Sequence, residues 1–441
     1  MTRSALGRYA EIRKIPGLAS LLVAGAVARL GSGMTPLALL LLLLAERATG
    51  RYAYASLAVG LYALAGVSVS PVIGRLADRL GPSPVLLVAA VAHATALAGL
   101  VLAADGGSAL SLICATAAAA GATYPPLTPA VRGACDRLTE PSTGSGGLRG
   151  TVLAADTALY EFVFVIGPLL VGLSGIVATP AAAIAAAAGV TPAGTVAVAC
   201  GTVMRARRPR PSHVRTNGLG PLRLSGFTVL LGCVGALGAG FGAVSVAVPS
   251  YATEQSGHDS AALAGLLLGV WGLGSALGGL WYGARPPRSP LSRQLAWLLG
   301  CVAVSLAALA VMPGPAALGA ALALGGGVIA PSLTVYISLV GRIVPPGMLT
   351  EAHTWIAAVP VAANAVGGAV AGTVVDRPGG VTWAFVMAGT IVAVAAMTTA
   401  WPSGPITRAD SRAENSRACR RGRASPSSGD PSAAWPGGRP H

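Results

Sequence analysis

The chain has 441 residues, of which 54% are apolar and 10% charged, with a mean hydropathy of +0.69 and a formal net charge of +15. That balance excludes a water-soluble domain of ordinary proportions. The basic excess does not point to nucleic acid, because the arginines are spread over short loops without interleaved aromatic residues; anionic lipid headgroups are the partner that fits.

Residues 1–17 form a short basic segment, and apolar runs follow near 18–44, 52–73, 85–104, 108–131, 151–177, 180–204, 223–249, 260–283, 294–312, 315–340, 352–374 and 381–401. Each is long enough to cross a hydrocarbon core of about 30 Å at about 1.5 Å per residue. Arg13, Lys14, the stretch from Leu18 and Ala26-Val27-Ala28 imitate a secretory signal peptide. The apolar pattern continues to Leu44, however, and cleavage would leave an odd number of spans, so this is read as the first membrane helix. Of the 30 Lys and Arg residues, all but Arg29, Arg47, Arg51 and Arg377 lie in the N-terminus, the C-terminal tail or alternate gaps. Those gaps are 74–84, 132–150, 205–222 with Arg223, 284–293 and 341–351. By the positive-inside rule both termini are expected in the cytoplasm, with the chain multi-pass in the plasma membrane.

The expected fold class is therefore an all-α integral membrane protein of about twelve helices. Residues 18–204 make one six-helix half and 223–401 the other, joined by the basic, proline-bearing linker 205–222. From 402 to 441 the sequence turns to Ser, Pro, Gly and Arg, which predicts a disordered cytoplasmic tail. Small residues spaced by four, as in Gly265 and Gly269 or along Gly235 to Gly242, allow close approach of helix backbones in lipid. The six cysteines stand singly, without ligand or framework spacing, and are read as packing residues with no metal site and no disulfide.

Between the second and third runs, Gly74-Arg-Leu-Ala-Asp78-Arg79-Leu-Gly81 resembles the motif that the major facilitator superfamily of secondary transporters carries in this loop. Pro82-Ser83-Pro84 replaces the basic residues that usually follow. Glycines permit a tight turn, and Asp78 can face the positive end of a neighbouring helix; the resemblance implies the eleventh helix, from near Thr350, as that neighbour. It covers about residues 15–402, and Gly279-Leu-Trp-Tyr-Gly283-Ala-Arg285 echoes the turn in the second half. In the fifth run, Gly167-Pro168-Leu-Leu-Val-Gly172 is similar to part of the glycine-proline motif of the superfamily's antiporters, although packing alone also accounts for a Pro-kinked helix.

Ionisable residues at membrane depth persist only where a partner or a wet cavity exists. Arg29 in the first run and Glu161 in the fifth lie at matched depth, about 15 Å from the cytoplasmic edge, so an Arg29–Glu161 pair is expected. Asp156 lies nearer that edge. Together with Asn364 in the eleventh run these are the candidate translocation residues, acting either as a static packing pair or in handling substrate and protons. Asn364 also suits a helix-to-helix hydrogen bond. His93 in the third run is read as a packed histidine before a proton carrier. Gly74, Asp78, Arg79, Gly81 and Arg132 are the candidate gating turn, with Arg132 expected to pair with Asp78 or to reach the headgroups.

Enzyme readings find no footing: H-E-x-x-H and G-x-S-x-G are absent, and Lys14, the chain's one lysine, precludes a phosphate-binding loop and thus direct use of ATP. The expectation is an ion-coupled secondary transporter of a small molecule, driven by the proton gradient without cofactor, exporting by antiport through alternating access. Import of a small metabolite is the alternative, and a receptor or scaffold on the same fold is a further one.

Overall fold

The computed structural model describes residues 11–12, 14–44, 50–139, 148–205, 220–256, 259–283, 290–345, 348–401 and 404–411. Through them run twelve helices long and apolar enough to cross a membrane. The first six are α1 (Leu18–Leu43), α2 (Tyr52–Leu80), α3 (Pro82–Asp105), α4 in two pieces (Leu110–Ala122 and Leu127–Leu138), α5 (Arg149–Val177) and α6 (Pro180–Cys200). The second six are α7 (Ser225–Ser256), α8 (Ser260–Gly283), α9 (Leu291–Ala308), α10 in two pieces (Pro315–Gly326 and Ile329–Ile343), α11 (Leu349–Val375) and α12 (Gly380–Ala400). The protein is an all-α membrane protein. Consecutive spans alternate in direction, so the α2–α3, α4–α5 and α6–α7 connections share one face, called here the basic face, and the α1–α2, α5–α6 and α11–α12 connections share the opposite one.

The fourth helix of each set of six is interrupted at a similar place, for different local reasons. In α4 the break falls at Pro125-Pro126, where the chain lacks two N–H donors and the residue before each ring is pushed out of helical geometry. In α10 it follows Gly325-Gly326-Gly327, whose backbone loses most entropy in a helix. Here α8 passes close by: a methyl group on Gly326 would fall 3.1 Å from the backbone nitrogen of Ser275.

Two boundaries differ from expectation. Residues 74–84 do not form a loop: α2 runs on to Leu80, and the turn into α3 is made by Gly81 alone, at φ +90, followed at once by Pro82 at the start of α3. Gly81 tolerates that φ because it has no Cβ, and the proline costs nothing where no intrahelical partner exists. The tail does not begin at 402 as a disordered segment either. Residues 405–411 are helical, with Ile406 and Asp410 each 1% exposed. Asp410 accepts hydrogen bonds from Arg342 Nη1 of α10 (3.2 Å) and the backbone N–H of Ser292 in the first turn of α9 (3.1 Å), which fastens the segment to both helices. Residues 412–441 and most of the linker (206–219) lie outside the described residues.

Helices α1, α5 and α6 pack together, as do α2, α3 and α4, while α3 also meets α6; in the second set α7 packs on α11 and α12, α9 on α12, and α8 on α10. Two extensive seams join the sets, α2 against α11 and α5 against α8. The space these seams enclose is the site.

Candidate functional site: a central cavity between the two helix sets

A cavity of about 480 Å³ lies at mid-depth, lined from α1, α2, α5, α7, α8, α10 and α11. Its wall is mostly aliphatic and aromatic. Tyr160 and Phe164, successive on one face of α5, meet edge to face at 5.0 Å, and across the cavity Phe241 of α7 and Trp271 of α8 do the same at 5.4 Å. Among the described residues Glu161 is the one carboxylate in the lining, and none of them there is a Lys or Arg. Asn364 of α11 lines the same space, so it is available to whatever enters.

The expected Arg29–Glu161 pair is not formed. Arg29 Nη1 donates instead to Asp156 Oδ1 at 2.7 Å, with both side chains 1% exposed. The other carboxylate oxygen of Asp156 accepts from Arg132 Nε at 3.0 Å; the expected Arg132–Asp78 pair involves a side chain outside the described residues. The reason is helical phase. Asp156 and Glu161 are five residues apart on α5, about 140° around the axis, so they cannot both face the same neighbour. Asp156 points into the α1–α4–α5 junction, while Glu161 points into the cavity, where no described cation pairs with it. One carboxylate thus bridges three helices beneath the cavity, and Arg29 further lays its guanidinium 5.8 Å from the Tyr160 ring centre.

Toward the opposite face the two seams bring the helix sets together. In the α5–α8 seam, Gly172 and Gly265 stand so close that a methyl group on Gly265 would fall 2.7 Å from the Gly172 Cα. In the α2–α11 seam, Asp376 at the end of α11 accepts the backbone N–H of Tyr52 (3.0 Å, Oδ1) and of Ala53 (3.0 Å, Oδ2), the first two residues of α2. Arg51 Nε stands 3.8 Å from Oδ2. A carboxylate from one helix set therefore caps the positive end of a helix in the other. Neither Asp376 nor its capping role was legible as a site: in sequence it is one acid in a short loop, 324 residues from its partner Tyr52.

A sequence profile described as the Major Facilitator Superfamily matches residues 21–354. The chain belongs to this superfamily. A curated relative, the MFS-type transporter y4rN of Sinorhizobium fredii (strain NBRC 101917 / NGR234), described as uncharacterised, is 31% identical over 169 residues, which is 37% of this chain and 39% of that relative's length. Among solved structures, the nucleoside transporter NupG (D323A mutant) superposes with TM-score 0.68 at 14% identity, covering 87% of this chain and 98% of that one. A peptide transporter POT in complex with sulfate gives 0.66 at 16% (89% and 95%), and the human organic anion transporter MFSD10 gives 0.58 at 17% (87% and 99%). At such identities the likeness speaks to the fold. The superfamily assignment thus rests on the sequence profile, and the twelve-helix fold agrees with it.

The residues that resemble superfamily motifs are distributed unevenly around the cavity. Gly74 and Arg79 lie in the last turns of α2 and Gly81 in the turn after it; the side chain of Asp78 falls outside the described residues. In α5, Pro168 lines the cavity while the flanking glycines serve the packing: Gly167 abuts Gly33 of α1, and Gly172 abuts Gly265 of α8. His93 is fully buried between Tyr62 and Tyr124, with Nδ1 2.7 Å from the carbonyl of Ala120, away from the cavity lining. Cys135, expected in a loop, lies in the second piece of α4 and is fully buried.

Proposed function

We propose that this superfamily member is a proton-coupled exporter of a small molecule, an antiporter working by alternating access in the plasma membrane with both termini in the cytoplasm. The observation that carries the reading is Glu161, a carboxylate lining a mid-depth cavity with no described cation beside it. Such a group is stable there either protonated or facing a mobile counter-charge, which suits exchange of a proton for a substrate. The arginine distribution supports assigning the basic face to the cytoplasm. On that assignment the α2–α11 and α5–α8 seams close the outer end of the cavity, and substrate loads from the inside. Rocking one six-helix set against the other then exposes the cavity outward.

The test is a substrate panel on everted vesicles carrying a pH-sensitive dye. The wild-type protein is expected to release protons from the acidified lumen when its substrate is added. Glu161→Gln is expected to abolish this, with stability within about 1 kcal/mol of wild type because no ion pair is broken. Gradient-driven transport at the wild-type rate in Glu161→Gln removes the proton role. Substrate-dependent proton entry in right-side-out vesicles instead makes the protein an importer.

A further inference from the structure

Resting on that reading, we infer that the cavity takes compact lipophilic organic cations, whose positive centre sits at Glu161 between the Tyr160–Phe164 and Phe241–Trp271 pairs. The charge inventory of the wall excludes other substrate classes first. Arg29 and Arg132 are committed to Asp156 and do not line the cavity, so an anionic solute would meet a carboxylate with no compensating cation among the described residues. A polyhydroxylated solute would find few free partners beyond Asn364 and Ser275. The hydroxyls of Ser32, Ser56 and Ser245 already donate within their own helices, to the carbonyls of Arg29 (2.6 Å), Tyr52 (2.7 Å) and Phe241 (2.8 Å). Each donor given away leaves one fewer for a ligand that must shed its water.

What remains is complementary to a delocalised cation. Aromatic rings present negative faces to positive charge, and the attraction strengthens where water is excluded. The two edge-to-face pairs stand on helices from opposite sets, α5 for one and α7 with α8 for the other, so a cation held between them contacts both sides of the rocking movement. A volume of about 480 Å³ suits a single drug-sized molecule. Glu161 supplies the countercharge, and because one carboxylate serves both, the proton and the organic cation bind in competition. That exclusion produces one-for-one exchange without a second site. The described titratable groups beside α5 near this position are Arg29 on α1, Arg132 on α4 and Tyr124 in the α4 break, with Asp156 and Tyr160 on α5 itself; Asp136 and Arg137 follow Arg132 along α4. Helices α6 and α8 contain no Asp, Glu, Lys, Arg or His.

The experiment is equilibrium binding of tetraphenylphosphonium to the purified full chain, with tetraphenylborate as an anionic probe of the same size and shape. Saturable tetraphenylphosphonium binding that quenches the fluorescence of Trp271, and no longer does so in Trp271→Phe, is expected. Glu161→Gln should weaken it by about tenfold or more, while Glu161→Asp stays within a few fold. Acidification should weaken binding in the wild type and not in Glu161→Gln. Equal binding of tetraphenylborate, undiminished binding in Glu161→Gln, or no binding to the wild type overturns the inference. If Glu161→Gln does not remain monodisperse, the comparison of the two probes on the wild type and on Glu161→Asp decides. Cation binding without proton counterflow in proteoliposomes keeps the site and removes the antiport. Proton-coupled flux of a neutral solute with no cation binding does the reverse.

Discussion

Asp156 holds Arg29 at 2.7 Å in an environment where each is only 1% exposed, and it holds Arg132 with its second oxygen. The three partners are not equivalent. Removing the carboxylate strands a buried guanidinium whose Nε and Nη2 already lack a protein partner among the described residues. Removing Arg29 leaves Asp156 still paired with the half-exposed Arg132. Asp156→Asn is therefore expected to lower stability by about 3–5 kcal/mol and Arg29→Met by less, and the double variant should recover much of the loss. Thermal unfolding in detergent of the three variants checks this; equal losses for both single variants would contradict the shared-carboxylate geometry.

The Asp376 cap across the α2–α11 seam predicts a shift in the alternating equilibrium. Asp376→Ala removes an N-cap and a favourable charge at a helix start, together worth about 1 kcal/mol, or roughly a fivefold change in population. A cysteine placed at Ser245 in the cavity should then label faster from the opposite face. Unchanged labelling would mean that the seam is held by packing alone.

Steric closeness in the other seam gives a sharper test. Gly265→Leu introduces a side chain where a methyl group already falls 2.7 Å from the Gly172 Cα. The expected result is a protein that inserts and expresses normally but whose α5–α8 seam cannot close, with transport lost and cavity labelling from the opposite face increased. Wild-type transport in this variant would show that the seam opens and closes without that approach.

Topology is testable without reference to mechanism. With the native cysteines replaced, a cysteine at Arg205, exposed at the end of the α6 side, and one at Ser256, at the end of α7, should label from opposite sides of the membrane, Arg205→Cys only from the cytoplasm. Cys135 is unsuitable as a reporter because it is buried. Labelling of both positions by an impermeant reagent from outside would reverse the orientation.

The chain's membrane class, its span count and the place of its helices were legible in the sequence, because apolar length and composition answer to the bilayer directly and do not depend on which helix lies beside which. Which acid meets the arginine was not, since partner choice depends on the rotation of α5, and 140° of helical phase separates Asp156 from Glu161. Tertiary structure alone put Glu161 on the cavity wall, turned Gly167 and Gly172 into helix contacts, and brought Asp376 to the start of α2. It also drew Asp410 out of an otherwise polar tail onto α9 and α10. These are relations between segments distant in sequence, fixed by packing geometry, and no local pattern of residues encodes them.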